Sequence, residues 1–383
     1  MPALPELTAV LAAAAARTEP EPHGGGGAVR EAAAGYWERR GLAVPPERTA
    51  AAPGAPALLL ALLAAHGGDV LLPRPCPAWW TPQIRVLGQR AHHVPTPAEC
   101  GGVPDPYALL ETVRRVRAEG GDPRVLVLSV ADDPTATVAP PELLREACEA
   151  AVFEGLAVIS DETWRDTLHH PRDTVLVSPA EMCPDEVTVL ADLAGSLLPG
   201  GWPAAIARFP GTTRADGLRA RTLDVLTATG AALAGPVAAA AAHALTEPDA
   251  VAVRVRAAAR LHGLLAGAVH RILYEHGALA LPPQAGRHLY ADLSPLRAGL
   301  ARYGVRDALE LEDHLGARLG RPVPGAQRFA DGFGALRVRL GTGPLTGDGP
   351  DERLAALAAP DPLALPHVAR SLDLLAAALD ELT

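Results

Sequence analysis

Acidic side chains follow three of the apolar runs in this sequence. Asp133 comes just after the run RVLVLSV, Asp161 directly follows LAVIS, and Asp192 follows VTVL. Short apolar runs that alternate with helical segments predict the strands of a parallel sheet. Ligands of such sheets bind beyond the carboxyl ends of the strands. The segments that carry these carboxylates are therefore expected to line one crevice, where an Asp can serve as an acid or a base.

The sequence contains no lysine, and all 34 basic residues are arginine. No side chain is therefore available to form a Schiff base. Arg337 and Arg339 lie two residues apart in the run ALRVRL, which places them on the same face of a predicted strand. A guanidinium can bind a carboxylate through two hydrogen bonds. The alternative interpretation is a solvated or salt-bridged strand arginine.

The histidine pairs 92–93 and 169–170 do not predict a metal site. Adjacent residues of a strand point to opposite faces, and no third ligand follows at a useful spacing. The four cysteines are widely spaced and form no CxxC pair. We expect them to be free thiols in a reducing cytoplasm.

The composition predicts a soluble globular protein. The chain has 383 residues, of which 49% are hydrophobic and 20% are charged. Its net charge of −10 argues against nucleic acid as a partner. No apolar stretch has transmembrane length, so we expect no membrane association. The apolar segment 7–16 has no basic region before it, and its alanine-rich pattern favours a helix over a signal peptide.

Helices and strands alternate along most of the chain, which predicts an α/β fold. A long helical stretch from about Ala232 to His276 precedes a smaller α/β unit, and a helix over 366–382 closes the chain. We divide the chain into an N-terminal arm and helix (1–40), a large domain (41–265) and a small C-terminal domain (266–383).

Seven segments along the chain form an ordered set of motifs: GGGGAVREAAAGYWERRG, PGAPALLLALL, GDVLLPRPCPAWW, DDPTATV, VISDETW, LPGGWPAAIARF and ALRVRLG. They resemble, in the same order, segments of class I/II aminotransferases of pyridoxal-phosphate (PLP) fold type I. The resemblance implies a large domain with a mostly parallel seven-stranded sheet and a small C-terminal α/β domain. It also implies a homodimer.

The resemblance assigns roles to four residues that would surround the coenzyme ring. Asp161 corresponds to the Asp that keeps the pyridine nitrogen protonated. Asp133 replaces an Asn that donates to the phenolic oxygen of the ring, and Trp164 replaces a Tyr that holds the same oxygen. Trp79 lies where the family stacks an aromatic side chain on the ring, although packing of the crevice wall is the commoner role. His169 is a further candidate base, together with the histidine after it, because a histidine replaces the lysine in some members of this fold.

The resemblance also indicates what this chain has lost. Counting back from the Gly-Trp pair at 201–202 places Gly195 at the position of the catalytic lysine. Asp192 replaces a phosphate-binding Ser, and the turn formed by Gly54 and Ala55 is followed by a proline that removes a backbone N–H. We therefore expect no covalently bound cofactor, and PLP or its pyridoxamine form (PMP) bound only weakly if at all. Arg337 corresponds to the arginine that binds the substrate carboxylate.

Three functions are consistent with these observations. The first is a repurposed enzyme of bacterial specialised metabolism that acts on an amino-acid-like or keto-acid-like substrate without a lysine Schiff base. The second is a non-catalytic subunit or regulator that pairs with an active aminotransferase paralogue. The third is a conventional PLP-dependent aminotransferase, which is hard to reconcile with Gly195.

Overall fold

A seven-stranded sheet forms the centre of the large domain. The computed structural model describes residues 2–383. The strands of this sheet lie in the order β1-β7-β6-β5-β4-β2-β3. Their bounds are β1 Thr49–Ala52, β2 Asp69–Arg74, β3 Ala91–Pro95, β4 Pro123–Ser129, β5 Ala157–Asp161, β6 Val187–Asp192 and β7 Ala205–Arg208. Among these described strands the two antiparallel pairings, β1 with β7 and β6 with β7, both involve β7, and the other four pairings are parallel, so the sheet is mostly parallel, as predicted.

The central strands are buried on both faces because they consist largely of Val, Leu and Ile. Every residue of β5 is buried, and β4 exposes only Arg124. Continuous apolar runs of this kind are typical of parallel strands that helices cover on both sides. The alanine-rich strands β1 and β7 pair with each other at one side of the sheet, and their sequences carry little strand signal.

Helices precede, connect and follow these strands. Their bounds are α1 Pro5–Ala13, α2 Gly27–Glu38, α3 Ala55–His66, α4 Trp80–Val86, α5 Pro106–Ala118, α6 Pro141–Phe153, α7 Pro179–Met182, α8 Thr213–Ala228, α9 Gly235–Leu245, α10 Asp249–Glu275, α11 Arg297–Arg302, α12 Ala308–Leu319, α13 Pro350–Ala358 and α14 Pro366–Asp380. Capping side chains mark where some of these helices begin. The Asp105 carboxylate accepts a hydrogen bond from the backbone N–H of Ala108 at 2.8 Å before α5, and Asp307 caps α12 in the same way. The helical stretch predicted from Ala232 to His276 is two helices, because Pro248 interrupts it between α9 and α10.

A second, smaller sheet lies towards the C-terminus. Its strands are β8 Leu279–Ala280, β9 His288–Asp292 and β10 Arg337–Gly341, all antiparallel, in the order β10-β9-β8. A separate apolar core covers this sheet and draws its buried residues from positions 261 to 382. The predicted domain boundary after residue 265 falls within α10 and stays a prediction.

Among the described helices, none combines the length and the apolar character needed to span a bilayer.

Candidate ligand-binding crevice

A cavity of about 230 Å³ opens beyond the carboxyl ends of β4, β5 and β6. We call it the strand-end cavity. Its walls come from the segments that the sequence predicted to meet there. The lining residues are Ala55, Pro56, Pro77, Trp79, Ser129, Asp133, Asp161, Thr163, Trp164, Asp192, Ala194 and Gly195. Seven of the residues singled out from the sequence therefore line one cavity, and Gly54 adjoins it.

Asp161 is the last residue of β5 and is only 6% exposed. Its Oδ1 accepts a hydrogen bond from the backbone N–H of Thr163 at 3.0 Å. The Thr163 side chain also forms a hydrogen bond with this carboxylate. Burial above all, with smaller effects of the charges of Asp192 and Asp133, raises the pKa of Asp161 to about 7 against the opposing effect of the Thr163 hydrogen bonds. The residue can therefore gain or lose a proton near neutral pH.

Thr163 ties the ends of β5 and β6 together. Its N–H donates to Asp161, and its hydroxyl oxygen accepts from the backbone N–H of Asp192 at 3.0 Å. Asp192 in turn accepts from the N–H of Ala194 at 2.9 Å and from the N–H of Ala55 at 2.8 Å. The Asp192 carboxylate thus caps the N-terminus of α3, a position at which a helix can bind an anion. Burial raises the pKa of Asp192.

Thr163 packs directly against Gly195, in the space that a side chain at position 195 would fill. A Cβ built on Gly195 would lie 2.9 Å from Thr163 Cγ2 and closer still to the Thr163 carbonyl oxygen. A side chain at position 195 would therefore have to displace the loop after β5. The absence of a side chain at Gly195 therefore allows the loop after β5 to pack closely.

Asp133 forms an ion pair with Arg339 across the rim of the strand-end cavity. Arg339 Nε lies 2.9 Å from Asp133 Oδ1, although the two groups are not aligned as a hydrogen bond. His288, which is fully buried, lies 3.6 Å from the same oxygen and 3.3 Å from Arg339 Nη2. Burial lowers the pKa of His288 to about 4, the Asp133 carboxylate opposes this shift, and Arg339 adds to it. The imidazole is therefore neutral at pH 7.

Two tryptophans supply flat apolar walls. Trp79 packs edge-on against Trp80, with 6.2 Å between ring centroids. Trp164 packs edge-on against His288, with centroids 5.5 Å apart. Gly54 precedes α3 with a φ of 92°, a backbone conformation that glycine adopts without strain. Carboxylates and indole rings in one cavity suit a ligand with a positively charged group and an apolar surface.

Arg337 lies outside this cavity. Its guanidinium is held by Asp292 Oδ2 and Asp331 Oδ2, each at 2.9 Å. It lines a neighbouring cavity of about 350 Å³ with apolar walls that include Leu281 and the ring of Tyr290. Its role as the carboxylate-binding arginine stays a prediction, since the arginine in contact with Asp133 is Arg339.

The paired histidines do not line the strand-end cavity. His169 is buried and contacts the carbonyl oxygens of Pro283 and Gly286 at 3.3 Å and 3.0 Å. His92 Nε2 lies 3.2 Å from Asp69 Oδ2, and His93 Nε2 lies 3.3 Å from Thr81 Oγ1. Within residues 2–383, no group of three or more His, Cys, Asp or Glu side chains could hold a metal ion.

Sequence reasoning missed two polar residues that shape the site. Thr163 appears in the sequence only as the middle of the DETW segment, and nothing in its spacing indicates that it joins two strand ends. His288 begins β9 and reaches Asp133 only because the small sheet folds over the cavity. Neither residue carries a local sequence signal.

Comparisons with known proteins show which proteins share this architecture. No protein-family profile matches the chain. A curated "Probable aspartate/prephenate aminotransferase" of Thermus aquaticus is 29% identical over 178 residues, which is 46% of this chain and 44% of that protein. The chain thus matches less than half the length of this curated relative.

Solved structures match over a much greater length. The aspartate aminotransferase of Thermus thermophilus with maleate has a TM-score of 0.80 at 22% identity, covering 99% of this chain and 89% of that chain. The N-succinyldiaminopimelate aminotransferase of Mycobacterium tuberculosis has a TM-score of 0.79 at 21% identity, covering 99% and 91%. The chain resembles class I/II aminotransferases of PLP-transferase fold type I. At these identities, the solved structures establish the fold of this aminotransferase-like chain.

These relatives correct one expectation. We expected no covalently bound cofactor and only weak binding of PLP or PMP. That expectation is wrong, because the proteins that this chain resembles are aminotransferases, a class of PLP-dependent enzymes that bind their coenzyme covalently.

This chain differs from that class at the residues that the resemblance places around the coenzyme. The sequence offers no lysine amine, and the N–H of Ala55 at the start of α3 already donates to Asp192. Gly195 packs against Thr163 without space for a side chain. The function proposed below therefore uses no step through the coenzyme.

Proposed function

We propose that this aminotransferase-like protein binds a small amino acid in the strand-end cavity and acts on it by a lysine-independent reaction. The observation that carries the proposal is the state of Asp161. It lies at the carboxyl end of β5, is buried, lines the cavity, and has hydrogen bonds from Thr163 but no positively charged hydrogen-bond partner among the described residues. A ligand ammonium group would supply a charge-assisted hydrogen bond.

Asp161 is also the group best placed to move a proton. Its pKa of about 7 lets it hold a proton at pH 6 and release it at pH 8. The chain has no lysine to serve as a base, and His288 is fully buried behind Trp164. In this proposal Asp161 accepts a proton from the ligand ammonium group, which leaves a neutral amine.

Arg339 is the proposed partner of the ligand carboxylate. Arg337 already has two carboxylate partners, whereas among residues 2–383 Arg339 pairs only with Asp133 and contacts neutral His288. A guanidinium with unused N–H groups can bind a second carboxylate. Arg337 is the alternative that the sequence predicted, and the two arginines can be tested separately.

Calorimetric titration of the purified protein with L-amino acids and their 2-oxo counterparts tests this function. We expect at least one amino acid to bind and its 2-oxo counterpart to bind at least tenfold more weakly, because the latter lacks the ammonium group. Asp161→Asn should abolish this preference. Asp224→Asn, a change at an exposed residue of α8, should preserve it. Equal binding of amino and 2-oxo acids, or an unchanged preference in Asp161→Asn, would refute the proposal.

We also propose that the protein assembles as a homodimer, as the resemblance predicts. Light scattering coupled to size-exclusion chromatography measures the mass directly. A mass near twice 39.6 kDa is expected, and a mass near 39.6 kDa would contradict the proposal.

A further inference from the structure

A third cavity, of about 480 Å³, opens at the opposite end of the sheet. We call it the basal cavity. The starts of β4 and β5 line it through Pro123 and Ala157, and α3 contributes its last residue, His66. The strand-end cavity lies beyond the other ends of these strands, so the two sites are separated by the length of the sheet.

Arginines dominate the basic side of the basal cavity. Arg117, Arg124, Arg214 and Arg221 all line it. Arg117 pairs with Glu154, and Arg124 Nε lies 2.6 Å from Asp122 Oδ2. These two arginines are largely neutralised by their partners.

The charge of the Arg221 guanidinium is not neutralised by a carboxylate of the described chain. Its Nε donates to the carbonyl oxygen of Ala65 at 3.0 Å, and no carboxylate of residues 2–383 forms an ion pair with it. Arg214, two helical turns earlier on the same face of α8, has only a long contact of 3.4 Å with Glu186. The remaining lining carboxylate, Asp185, acts on Arg208.

His66 faces this positive surface without a partner. Its Nε2 is buried and makes no hydrogen bond within the described chain. Burial above all, together with the charges of Arg214 and Arg221, lowers the pKa of His66 to about 4. A buried polar atom without a partner is costly, and such an atom indicates a missing ligand or water.

The first turn of α8 adds to the positive potential. Thr212 and Ala215 line the cavity, and the N-terminus of a 16-residue helix carries a partial positive charge. Two arginines, an imidazole and a helix N-terminus offer hydrogen-bond donors from different directions. The oxygens of a tetrahedral oxyanion can accept from several such directions at once, whereas those of a planar carboxylate lie in one plane.

We propose that the basal cavity binds a phosphate-bearing small molecule, with its phosphate between Arg214, Arg221 and His66. The cavity is much larger than one phosphate, so the rest of the ligand fills the space towards Arg117 and Arg124. This site is independent of the function proposed for the strand-end cavity.

NMR titration of the His66 imidazole tests the proposal, with His66→Gln used to assign its resonances. The probes are inorganic phosphate and glycerol phosphate, with sodium chloride at matched ionic strength as the reference. We expect saturable shifts with at least one phosphate probe and a rise in the pKa of His66. Arg221→Gln and Arg214→Gln should each weaken binding about tenfold or more.

Two controls make the outcome decisive. Arg256→Gln changes an exposed arginine of α10 and should titrate as the wild type does. Asp161→Asn should also retain phosphate binding, which separates this site from the strand-end cavity. Shifts no larger with either phosphate probe than with chloride, or unchanged binding in both Arg221→Gln and Arg214→Gln, would overturn the proposal.

Discussion

The backbone N–H of Ala55 donates a hydrogen bond to Asp192 Oδ2 over 2.8 Å, which joins the start of α3 to the end of β6. The same carboxylate caps the turn at Ala194. One side chain therefore satisfies two backbone donors at the mouth of the crevice. A negatively charged cap at a helix N-terminus also interacts favourably with the helix dipole.

Asp192→Ala should lower the free energy of unfolding by about 1–2 kcal/mol, because both N–H groups lose their acceptor. Chemical denaturation measures this change. Asp224→Ala is the matched control, since Asp224 is exposed and should change stability by less than about 0.5 kcal/mol. Equal effects of the two substitutions would show that the Asp192 cap does not contribute.

Gly195→Ala should destabilise the protein by about 1–3 kcal/mol, because the added methyl group meets Thr163. Since Thr163 holds Asp161, the preference for amino over 2-oxo acids should weaken as well. Gly200→Ala is the control, because a Cβ there has no neighbour within 4 Å. Wild-type stability and ligand preference in Gly195→Ala would contradict the packing that we describe.

The stability that Asp161 contributes should fall between pH 5 and pH 8. Burial raises the pKa of Asp161 to about 7 from an unfolded value near 3.9. A raised pKa in the folded state gives stability that is complete below the unfolded pKa and is lost as pH rises through 7. Each pKa unit corresponds to about 1.4 kcal/mol, so the loss amounts to a few kcal/mol.

Asp161→Asn removes this titration, so the stability of the wild type relative to this variant should fall from pH 5 to pH 8. Asp132, whose pKa burial raises to about 7, and His66 and His288, whose pKa values burial lowers to about 4, titrate in both proteins and cancel in the comparison. Urea denaturation of both proteins at pH 5, 6, 7 and 8 makes the comparison. Parallel curves for the two proteins would show that Asp161 does not titrate in this range.

Arg339→Gln should leave the Asp133 carboxylate without a positive partner and cost about 1–3 kcal/mol of stability. It should also weaken amino-acid binding about tenfold or more, because Arg339 is the proposed partner of the ligand carboxylate. Arg337→Gln should keep that affinity, although Asp292 and Asp331 lose a partner. If calorimetry shows weaker binding in Arg337→Gln and unchanged binding in Arg339→Gln, Arg337 binds the ligand carboxylate, as the sequence resemblance predicts.

The strand ends of the site could be predicted from the sequence because central strands have a strong apolar signal. The runs RVLVLSV, LAVIS and VTVL correspond to β4, β5 and β6, so Asp161 and Asp192 were correctly placed at one edge. In each of these elements, local sequence pattern and tertiary packing agree.

The contacts between distant segments could not be predicted in this way. The ion pair between Asp133 and Arg339 joins residues 206 positions apart and depends on how the small sheet lies over the large one. The loop packing of Thr163 against Gly195 depends on backbone position to within a fraction of an ångström. In the sequence, Gly195 indicates only that the lysine of the family is replaced, whereas the structure shows that this glycine permits close packing against Thr163.

The pH dependence of amino-acid affinity tests the central claim most directly. The claim is that ionised Asp161 binds the ligand ammonium group, so the competent fraction of the protein follows the pKa of about 7. Isothermal titration with the tightest-binding amino acid should show an affinity about tenfold higher at pH 8 than at pH 6. Asp161→Asn should show no such rise. An affinity that stays constant or falls between pH 6 and pH 8 in the wild-type protein would contradict the account.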